Sequence, residues 1–389
     1  MGQARRWPVI SALGVAQILA WGSSFYLPAV LAGPVAADTG WPLGWVVGGL
    51  ALGLLVAAFA SPHVGAVIHR QGGRPVLALA ALLLAAGLTT LALAPVLPVY
   101  LAGWLVMGLG MGCGLYDPAF ATLGRLYGSE ARPAITTLTL WGGFASTVCW
   151  PLSAYLVAHV GWRGTCFAYA GLHLLVTLPL VLLLIPSPPS PSLPATPDTR
   201  ASAAGSLSSR ERRAFLLLAG VLVLGGAVMA LISVHLITLL QARGVALASA
   251  VSYGALIGPA QVSARVAEIA LKGRHHPLWT LTAALCLISA GLALLACGLP
   301  GVAAWLVLYA GGNGIYSIAR GTVPLALFGP QRYPLLVGRL ARPGLIAQAL
   351  APPAGAVVLT HAGPDVLWWL MLALALGNLV LIGSLWRMR

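Results

Sequence analysis

The chain has 389 residues, of which 59% are hydrophobic and only 7% are charged, whereas a soluble domain carries roughly 25% charged residues. Its mean hydropathy is +0.94, which excludes a soluble enzyme or binding module and predicts an all-α polytopic membrane protein. The formal charge of +14 arises from only seven acidic residues. Because the basic residues are spread over short loops, membrane lipid is a predicted partner and nucleic acid is not.

Apolar runs of about twenty residues, long enough to cross the bilayer core, follow one another along the chain. Glycine, proline or charged residues separate them. The twelve predicted transmembrane helices are 9–32, 43–64, 75–94, 99–126, 133–159, 165–185, 214–240, 246–269, 277–298, 301–327, 338–361 and 364–385. The first run continues past signal-peptide length without a clear cleavage site, so we expect it to be a retained helix.

A Pro/Ser-rich stretch, residues 186–213, lies between the sixth and seventh runs and cannot bury an apolar face. It is predicted to be a cytoplasmic linker. On either side we expect an N-terminal six-helix bundle, residues 1–185, and a C-terminal six-helix bundle, residues 214–389.

An internal repeat supports this division. The stretch WLVMGLGMGCGLYDPAFATLGRLYG, which begins at Trp104, returns 201 residues later as WLVLYAGGNGIYSIARGTVPLALFG, which begins at Trp305. The register needs no gap and also pairs Gly128 with Gly329. Tryptophan is scarce enough for its match to carry weight, so the pattern indicates two copies of one unit, as in many transporters.

Basic residues lie mainly at one set of alternating junctions between the runs, and by the positive-inside rule that side is cytoplasmic. The opposite set offers only Arg163 and Arg243. Both termini are therefore expected in the cytoplasm. The residues on the cytoplasmic set are Arg5, Arg6, Arg70, Arg74, Arg132, Arg200, Arg210, Arg212, Arg213, Lys272, Arg274, Arg332, Arg387 and Arg389.

The junction after the second run reads GAVIHRQGGR, from Gly65 to Arg74. It resembles the G-x-x-x-D-R-x-G-R-R loop of the major facilitator superfamily, with His69 where the family usually has Asp. A Gly-rich fourth run, a proline in the fifth and Gly-Trp-Arg before the sixth also match. The resemblance implies the major facilitator fold of two six-helix halves and a gating loop of Gly65, His69, Arg70 and Arg74. The two arginines have an alternative role as topology signals.

Two shorter segments, LYDPAFATLGRLYG and RGTVPLALFG, resemble a bacterial branch of that superfamily that includes arsenical exporters and monocarboxylate-porter-like proteins. This resemblance implies secondary active transport by alternating access across the cytoplasmic (inner) membrane, with protons as a candidate coupling ion. Efflux of neutral arsenicals or drug-like compounds is the alternative to transport of a small anion.

Charged side chains inside the runs are informative, because burying one costs at least about 2.5–3.5 kcal/mol. Asp117 and Arg320 lie on equivalent helices of the two repeats, and they are candidates either for a substrate site or for a structural ion pair. Arg265 and Glu268 are three residues apart in the eighth run. They too are substrate candidates, and the alternative is that they pair on their own helix.

Arginines outnumber acids within the runs and at their inner ends, and arginine binds carboxylates through two parallel hydrogen bonds. We therefore expect an anionic or oxyanion-like small molecule as substrate. The arginines are Arg125, Arg265, Arg320, Arg339 and Arg342, against Asp117 and Glu268.

Uncharged polar groups in the runs are further candidates for the substrate route, although hydrogen bonding between helices explains each of them equally well. They are Gln17, Trp21, Tyr26, Tyr116, His235, Gln261, Asn313, Tyr316 and Gln348. Among them, His235 has a side chain that can carry a coupling proton. The alternative for His235 is a satisfied core histidine.

Two other functional classes compete with the transporter. An intramembrane aspartyl protease would need two carboxylates that share a proton, and no second aspartate lies in the middle of a run to accompany Asp117. A channel would need a filter loop or a repeated ring of ligands, which the sequence lacks. We therefore predict a monomeric transporter without enzyme activity; without paired cysteine spacing, no metal or cofactor is expected.

Overall fold

The computed structural model describes residues 6–186, 207–270 and 275–388. Within those ranges the chain is helical and contains no strand, which confirms the all-α prediction. A 3-10 turn at Gly128–Glu130 and a π-helix at His173–Thr177 accompany the α-helices. The α-helices are α1 (Arg6–Ser23), α2 (Pro28–Thr39), α3 (Leu43–Gln71), α4 (Arg74–Leu93), α5 (Leu97–Gly114), α6 (Tyr116–Tyr127), α7 (Ala131–Gly143), α8 (Ala145–Leu172), α9 (Leu178–Leu184), α10 (Ser209–Ala242), α11 (Leu247–Ala255), α12 (Ile257–Ala270), α13 (Pro277–Ala296), α14 (Val302–His361) and α15 (Pro364–Trp386).

The predicted spans fall on these helices, but some are broken. The first span consists of α1 and α2, and Pro28 begins α2 because proline has no N–H to continue the preceding helix. Conversely, α8 and α14 each contain one non-helical residue, Gly161 and Gly329, where the sequence predicted a boundary between spans. Among the described residues, eight helical stretches are long and apolar enough to cross a membrane. Two of them, 88 and 61 residues long, hold more than one predicted span.

The chain divides into two compact units. Unit 1 contains Met1–Leu216 and Pro324–Arg342, and unit 2 contains Leu217–Val323 and Pro343–Arg389. The predicted boundaries at 185 and 214 stay a prediction. Most of the predicted linker lies outside the described residues, as do Arg5, Arg200, Lys272, Arg274 and Arg389.

Gly128 and Gly329, which the repeat register pairs, both have a positive φ angle. Their φ angles are 57° and 72°, in a region that an L-residue with a Cβ atom rarely enters. Each follows an apolar helix, α6 or the first part of α14, and lets the chain leave it sharply. The repeat therefore preserves a glycine with positive φ as well as a pattern of apolar residues.

The Gly-rich α5 packs against two neighbours inside unit 1. A Cβ atom on Gly108 would lie 2.4 Å from the carbonyl oxygen of Gly53 on α3. A Cβ atom on Gly110 would lie 3.0 Å from the backbone nitrogen of Leu84 on α4. The glycines thus allow close approach of three helix backbones, the usual role of small residues in membranes.

One arginine in unit 1 ties three helix ends together. Arg163 on α8 donates from Nη1 to the carbonyl oxygens of Ala92 at 2.7 Å and Ala94 at 3.1 Å, at the end of α4. Its Nε lies 3.8 Å from the carboxylate of Asp38, near the end of α2. Carbonyls at a helix end lack partners within the helix, so the guanidinium satisfies groups that would otherwise be unpaired. We call this arrangement the helix-end clamp.

Unit 2 has a second helix-end clamp, in which the arginine and the acid have exchanged places. Arg243, after the end of α10, donates to the carbonyl oxygens of Leu295 and Ala296 at the end of α13, the latter at 3.0 Å. It also donates to the carboxylate of Asp365 at the start of α15, at 2.8 Å. In the first repeat, Asp38 lies at the end of the first span and Arg163 at the start of the last span. In the second repeat, Arg243 lies at the end of the first span and Asp365 at the start of the last span.

Replacing Arg163 by alanine is expected to destabilise the protein by about 1–3 kcal/mol, because buried carbonyls at the end of α4 lose their donor. The midpoint of thermal unfolding in detergent measures this loss. Asp38→Asn is the control. Its side chain is 56% exposed, and an exposed ion pair contributes little. An equal fall in both midpoints would contradict the assignment.

Candidate functional site

Arg265 on α12 is a buried arginine within a small polar cluster of unit 2. The residue is 4% exposed. Its Nε donates to the carbonyl oxygen of Gly314 at 3.3 Å and to Ser317 Oγ at 3.2 Å, both on α14. Its Nη2 lies 3.4 Å from Gln261 Oε1, one turn earlier on α12. The buried Nη1 has no hydrogen-bond partner among the described residues.

Glu268, three residues after Arg265, does not neutralise this charge. Its Oε1 accepts a hydrogen bond from Thr280 Oγ1 at 2.8 Å and lies 3.1 Å from His275 Nε2. The described part of the chain contains no ion pair that involves Arg265. The alternative of an ion pair within the helix is therefore wrong: the acid bonds to groups at and before the start of α13, and the guanidinium bonds to α14.

Asn313 and Arg320 lie on the same side of α14 as Ser317, because residues three or four apart share a helix face. Both are half-buried. Asn313, Ser317 and Arg320 therefore form a polar row on α14, and Arg265 and Gln261 meet this row from α12. Four of these five residues are sequence candidates, and Ser317 is added by the structure.

The remaining candidates of unit 2 bond to backbone carbonyl oxygens. His235 Nε2 lies 2.9 Å from the carbonyl oxygen of Pro352. Tyr316 donates to the carbonyl oxygen of Val221 at 3.2 Å, and Gln348 donates to that of Gly344 at 3.4 Å. The first two bonds join α10 to α14 and favour the packing interpretation for His235 and Tyr316, whereas the Gln348 bond lies within α14.

In unit 1 the structure brings together four candidates from the sequence. Gln17 is fully buried and donates to the carbonyl oxygen of Gly114 at 2.7 Å, while its Oε1 accepts from Trp21 Nε1 at 3.1 Å. The Trp21 ring lies 5.1 Å from the Tyr116 ring and 6.0 Å from the Tyr26 ring, between centroids. Gln17 thus orients Trp21, and the aromatic rings form a wall beside the break between α1 and α2.

Asp117 and Arg320 belong to different units. Each is half-buried and makes interactions within the protein. The proposed pairing of their charges stays a prediction.

The predicted gating loop ends α3 and begins α4. Arg125 at the end of α6 donates to the carbonyl oxygens of His69 and Arg70, the second at 3.3 Å. Arg70 donates from Nε to Ala66 at 3.4 Å, and Arg74 is the first residue of α4. The loop is therefore held by an arginine from a neighbouring helix that caps the carboxyl end of α3.

Gly65 lies where α3 meets the segment Pro324–Arg342, which belongs to the same unit. A Cβ atom at Gly65 would lie 2.6 Å from the carbonyl oxygen of Pro334 and 3.1 Å from the Cα atom of Gly338. The reciprocal Cβ atom on Gly338 would lie 2.5 Å from the carbonyl oxygen of Ser61. Two glycines thus allow backbone-to-backbone contact here.

His69 follows the predicted second span, 43–64, by five residues, so it is expected outside the hydrocarbon region. Burial lowers the pKa of His69, and the positive charges of Arg125 and Arg70 lower it further. The arrangement described here therefore favours neutral His69.

Acidification is expected to destabilise this arrangement. Because the pKa of His69 is lowered in the folded protein, its contribution to the free energy of unfolding is fully present above the ordinary histidine pKa of about 6.5. That contribution is lost progressively as the pH falls below this value. His69→Asn should reduce the difference between the thermal unfolding midpoints at pH 7.5 and pH 5.5. The exposed His361 supplies the control, and an equal reduction in His361→Asn would contradict the role of His69.

Several residues of these clusters were missed by the sequence analysis. Ser317 and Thr280 carry no pattern that distinguishes them from other serines and threonines in apolar helices. His173 was also missed. It is a histidine inside an apolar run, and that signal would have been sufficient to identify it as a candidate. The capping role of Arg125 depends on where α6 ends relative to α3, which periodicity does not provide.

Long apolar helices, a repeated turn and buried polar clusters inside each unit together define an integral membrane protein of the transporter class. The model of the Major Facilitator Superfamily matches residues 12–325. The chain belongs to that superfamily, which confirms the resemblance seen in the sequence.

Among curated proteins, the chain is 33% identical to monocarboxylate transporter 11 of Mus musculus over 194 residues, 49% of this chain and 41% of that protein. The aligned region thus spans about two fifths of that relative's length. Among solved structures, it is similar to the human organic anion transporter MFSD10, with a TM-score of 0.75 and 19% identity over 98% of this chain and all of that one. It is also similar to the proton:xylose symporter XylE, with a TM-score of 0.73 and 11% identity over 99% and 96% of the two chains. These two structures show the fold alone.

Proposed function

We propose that the protein is a secondary active transporter that moves small organic anions of the monocarboxylate class across the cytoplasmic membrane by alternating access. The observation that carries this proposal is the buried Nη1 of Arg265, which lacks a partner within the described residues. A buried guanidinium without a carboxylate is costly, and such groups in membranes usually line a substrate path. A carboxylate is the group that would complete its hydrogen bonding.

The surroundings of Arg265 determine how an anion would be bound. Gln261 and Ser317 hold the guanidinium through Nη2 and Nε, so its orientation is fixed before any ligand arrives. A ligand oxygen on Nη1 would therefore lose little entropy in ordering the site. Arg320, on the same face of α14 as Ser317, adds a second positive charge for the anion.

The comparisons support this substrate class, because the similar proteins include a monocarboxylate transporter and an organic anion transporter. XylE, which is named as a proton symporter, supports proton coupling. The bacterial branch of exporters stays a prediction from the sequence.

Uptake by purified protein in liposomes tests the substrate. We expect uptake of a radiolabelled short-chain monocarboxylate such as lactate, with inhibition by other monocarboxylates and none by a lipophilic cation. Empty liposomes and liposomes with heat-inactivated protein measure leakage of the protonated acid. Uptake of a lipophilic cation or a neutral arsenical without competition by carboxylates would contradict the proposal.

The orientation of the chain is a separate prediction. A single cysteine at Ser206, which lies outside the described residues, should face the cytoplasm when placed in a background without native cysteines. We expect it to resist an impermeant thiol reagent in intact cells and to react after lysis. Labelling from outside would reverse the predicted topology, in which both termini are cytoplasmic.

A further inference from the structure

A buried histidine in unit 1 has a nitrogen that no hydrogen bond uses. His173 is 0% exposed, and its Nε2 lies 2.8 Å from Ser23 Oγ. Its Nδ1 is buried and has no hydrogen-bond partner within the described ranges of the chain. The hydroxyl oxygen of Thr177, four residues later, is likewise buried and unpartnered there. Two polar atoms are thus available to a small polar ligand in an otherwise apolar interior.

The backbone on both sides of this bond is irregular. His173 begins the π-helix His173–Thr177, which widens the helical turn between α8 and α9. Ser23 is the last residue of α1, directly before the turn that leads into α2. Such π-turns in α-helices occur frequently at functional sites. A shift at either break would change the contact between Ser23 and His173.

No acidic group lies on the helices that pack against this π-helix, which are α1, α4, α8 and α9. Tyr169, one turn before His173, bonds instead to Ser153 at 2.7 Å and to the carbonyl oxygen of Cys149 at 3.1 Å. Arg163 bonds to the end of α4 in the helix-end clamp. The titratable or charged groups on the four helices are Arg6, Arg74, Cys149, Tyr155, His159, Arg163, Cys166 and Tyr169.

We propose that His173 is the proton-binding site that couples proton movement to transport. In the tautomer in which Nε2–H donates to Ser23, Nδ1 carries a free lone pair. Nδ1 takes one proton from water on one side of the membrane, and the resulting imidazolium later returns it to water on the other side. The proton count of the protein is therefore unchanged after one cycle.

The burial of His173 explains how the proton would shift the conformation. An imidazolium without a partner is unfavourable in the sealed environment described here. The protonated form therefore favours a conformation in which water reaches Nδ1. A ligand that binds two conformations with different affinity shifts the equilibrium between them, and this difference is the requirement for coupling.

This inference rests on the proposed function, but its test separates the two. In liposomes, His173→Gln should lose uptake driven by an inward proton gradient at least tenfold and keep exchange of labelled for unlabelled carboxylate at equal pH. Wild-type protein that shows neither activity would overturn the proposed function. Gradient-driven uptake by His173→Gln at the wild-type rate would overturn the assignment of His173 as the proton-binding site. His173 would then have only a structural role, with a water bound to it.

Two further measurements keep the test decisive. Without substrate, the fluorescence of Trp21, two residues before Ser23, should change between pH 8 and pH 5 in a variant that keeps only this tryptophan, and His173→Gln should abolish the change. An unchanged wild-type signal would overturn the proposal.

If His173→Gln does not fold, Ser23→Ala must shift the pH of half-maximal uptake, and an unshifted profile would overturn the proposal. His159→Gln, an exposed histidine on α8, is the matched control.

Discussion

Replacing Arg265 by lysine is expected to lower carboxylate uptake at least tenfold without unfolding the protein. Lysine keeps the positive charge but cannot reproduce the planar fork that bonds Ser317 and Gln261 while presenting a further N–H to a ligand. Arg265→Ala should lower uptake a hundredfold or more, because truncating one partner of a buried charge pair costs roughly 2–5 kcal/mol.

The thermal stability of the ligand-free variants distinguishes a binding role from a structural role. If Arg265 serves the substrate, Arg265→Ala removes an unpaired buried charge, and the unfolding midpoint should stay constant or rise. If the arginine mainly stabilises α12 against α14, the midpoint should fall by several degrees. Addition of carboxylate should raise the wild-type midpoint and leave that of Arg265→Ala unchanged.

A matched substitution elsewhere in unit 2 controls for the loss of one positive charge. Arg387 is exposed after the end of α15, so Arg387→Ala should retain uptake within twofold. Full uptake by a folded Arg265→Ala protein would contradict the site. An equal loss in both variants would indicate a general charge effect instead.

Gly65→Leu is expected to abolish transport by preventing the contact between α3 and the segment Pro324–Arg342. Even the Cβ atom would lie 2.6 Å from the Pro334 carbonyl oxygen, and a backbone atom cannot move aside as a side chain can. Alternating access requires two conformations that interconvert. Loss of the conformation in which α3 contacts this segment should stop turnover, while carboxylate binding is retained. Uptake and carboxylate-induced stabilisation are measured on the same preparation.

The control lies on the same helix. A Cβ atom at Gly48, also on α3, would meet no atom of another described element within 4 Å, so Gly48→Leu should transport normally. Gly338→Ala tests the opposite side of the contact and should reproduce the loss. Normal transport by both Gly65→Leu and Gly338→Ala would show that this contact is not needed in the cycle.

The fold was predictable from the sequence because lipid imposes a simple rule on apolar runs: the backbone must satisfy its own hydrogen bonds, and helices do so. The position of Gly128 in the repeat was also informative, since its partner Gly329 adopts the same φ region. The breaks at Leu115 and in the π-helix were not predictable, because an apolar sequence is compatible with both continuous and interrupted helices.

The candidate site was predictable only in its residue types. Arg265 and Glu268 were identified as charges inside a run, and their spacing of three suggested a pair. The structure separates them because Thr280 and His275 reach Glu268 from outside α12. Which neighbour satisfies a buried charge depends on the packing of other helices, and hydrophobic periodicity carries no information about that packing.

The exchanged clamps constrain how the two repeats could recombine. A chimera that received only the first span of the second repeat would place Arg243 opposite Arg163, and the reciprocal graft would place Asp38 opposite Asp365. Either hybrid would bring like charges together at a helix end. Grafts that move the first and last spans of a repeat together would keep each arginine with its own acid. The first and last spans of a repeat therefore keep their clamp only when they are moved together.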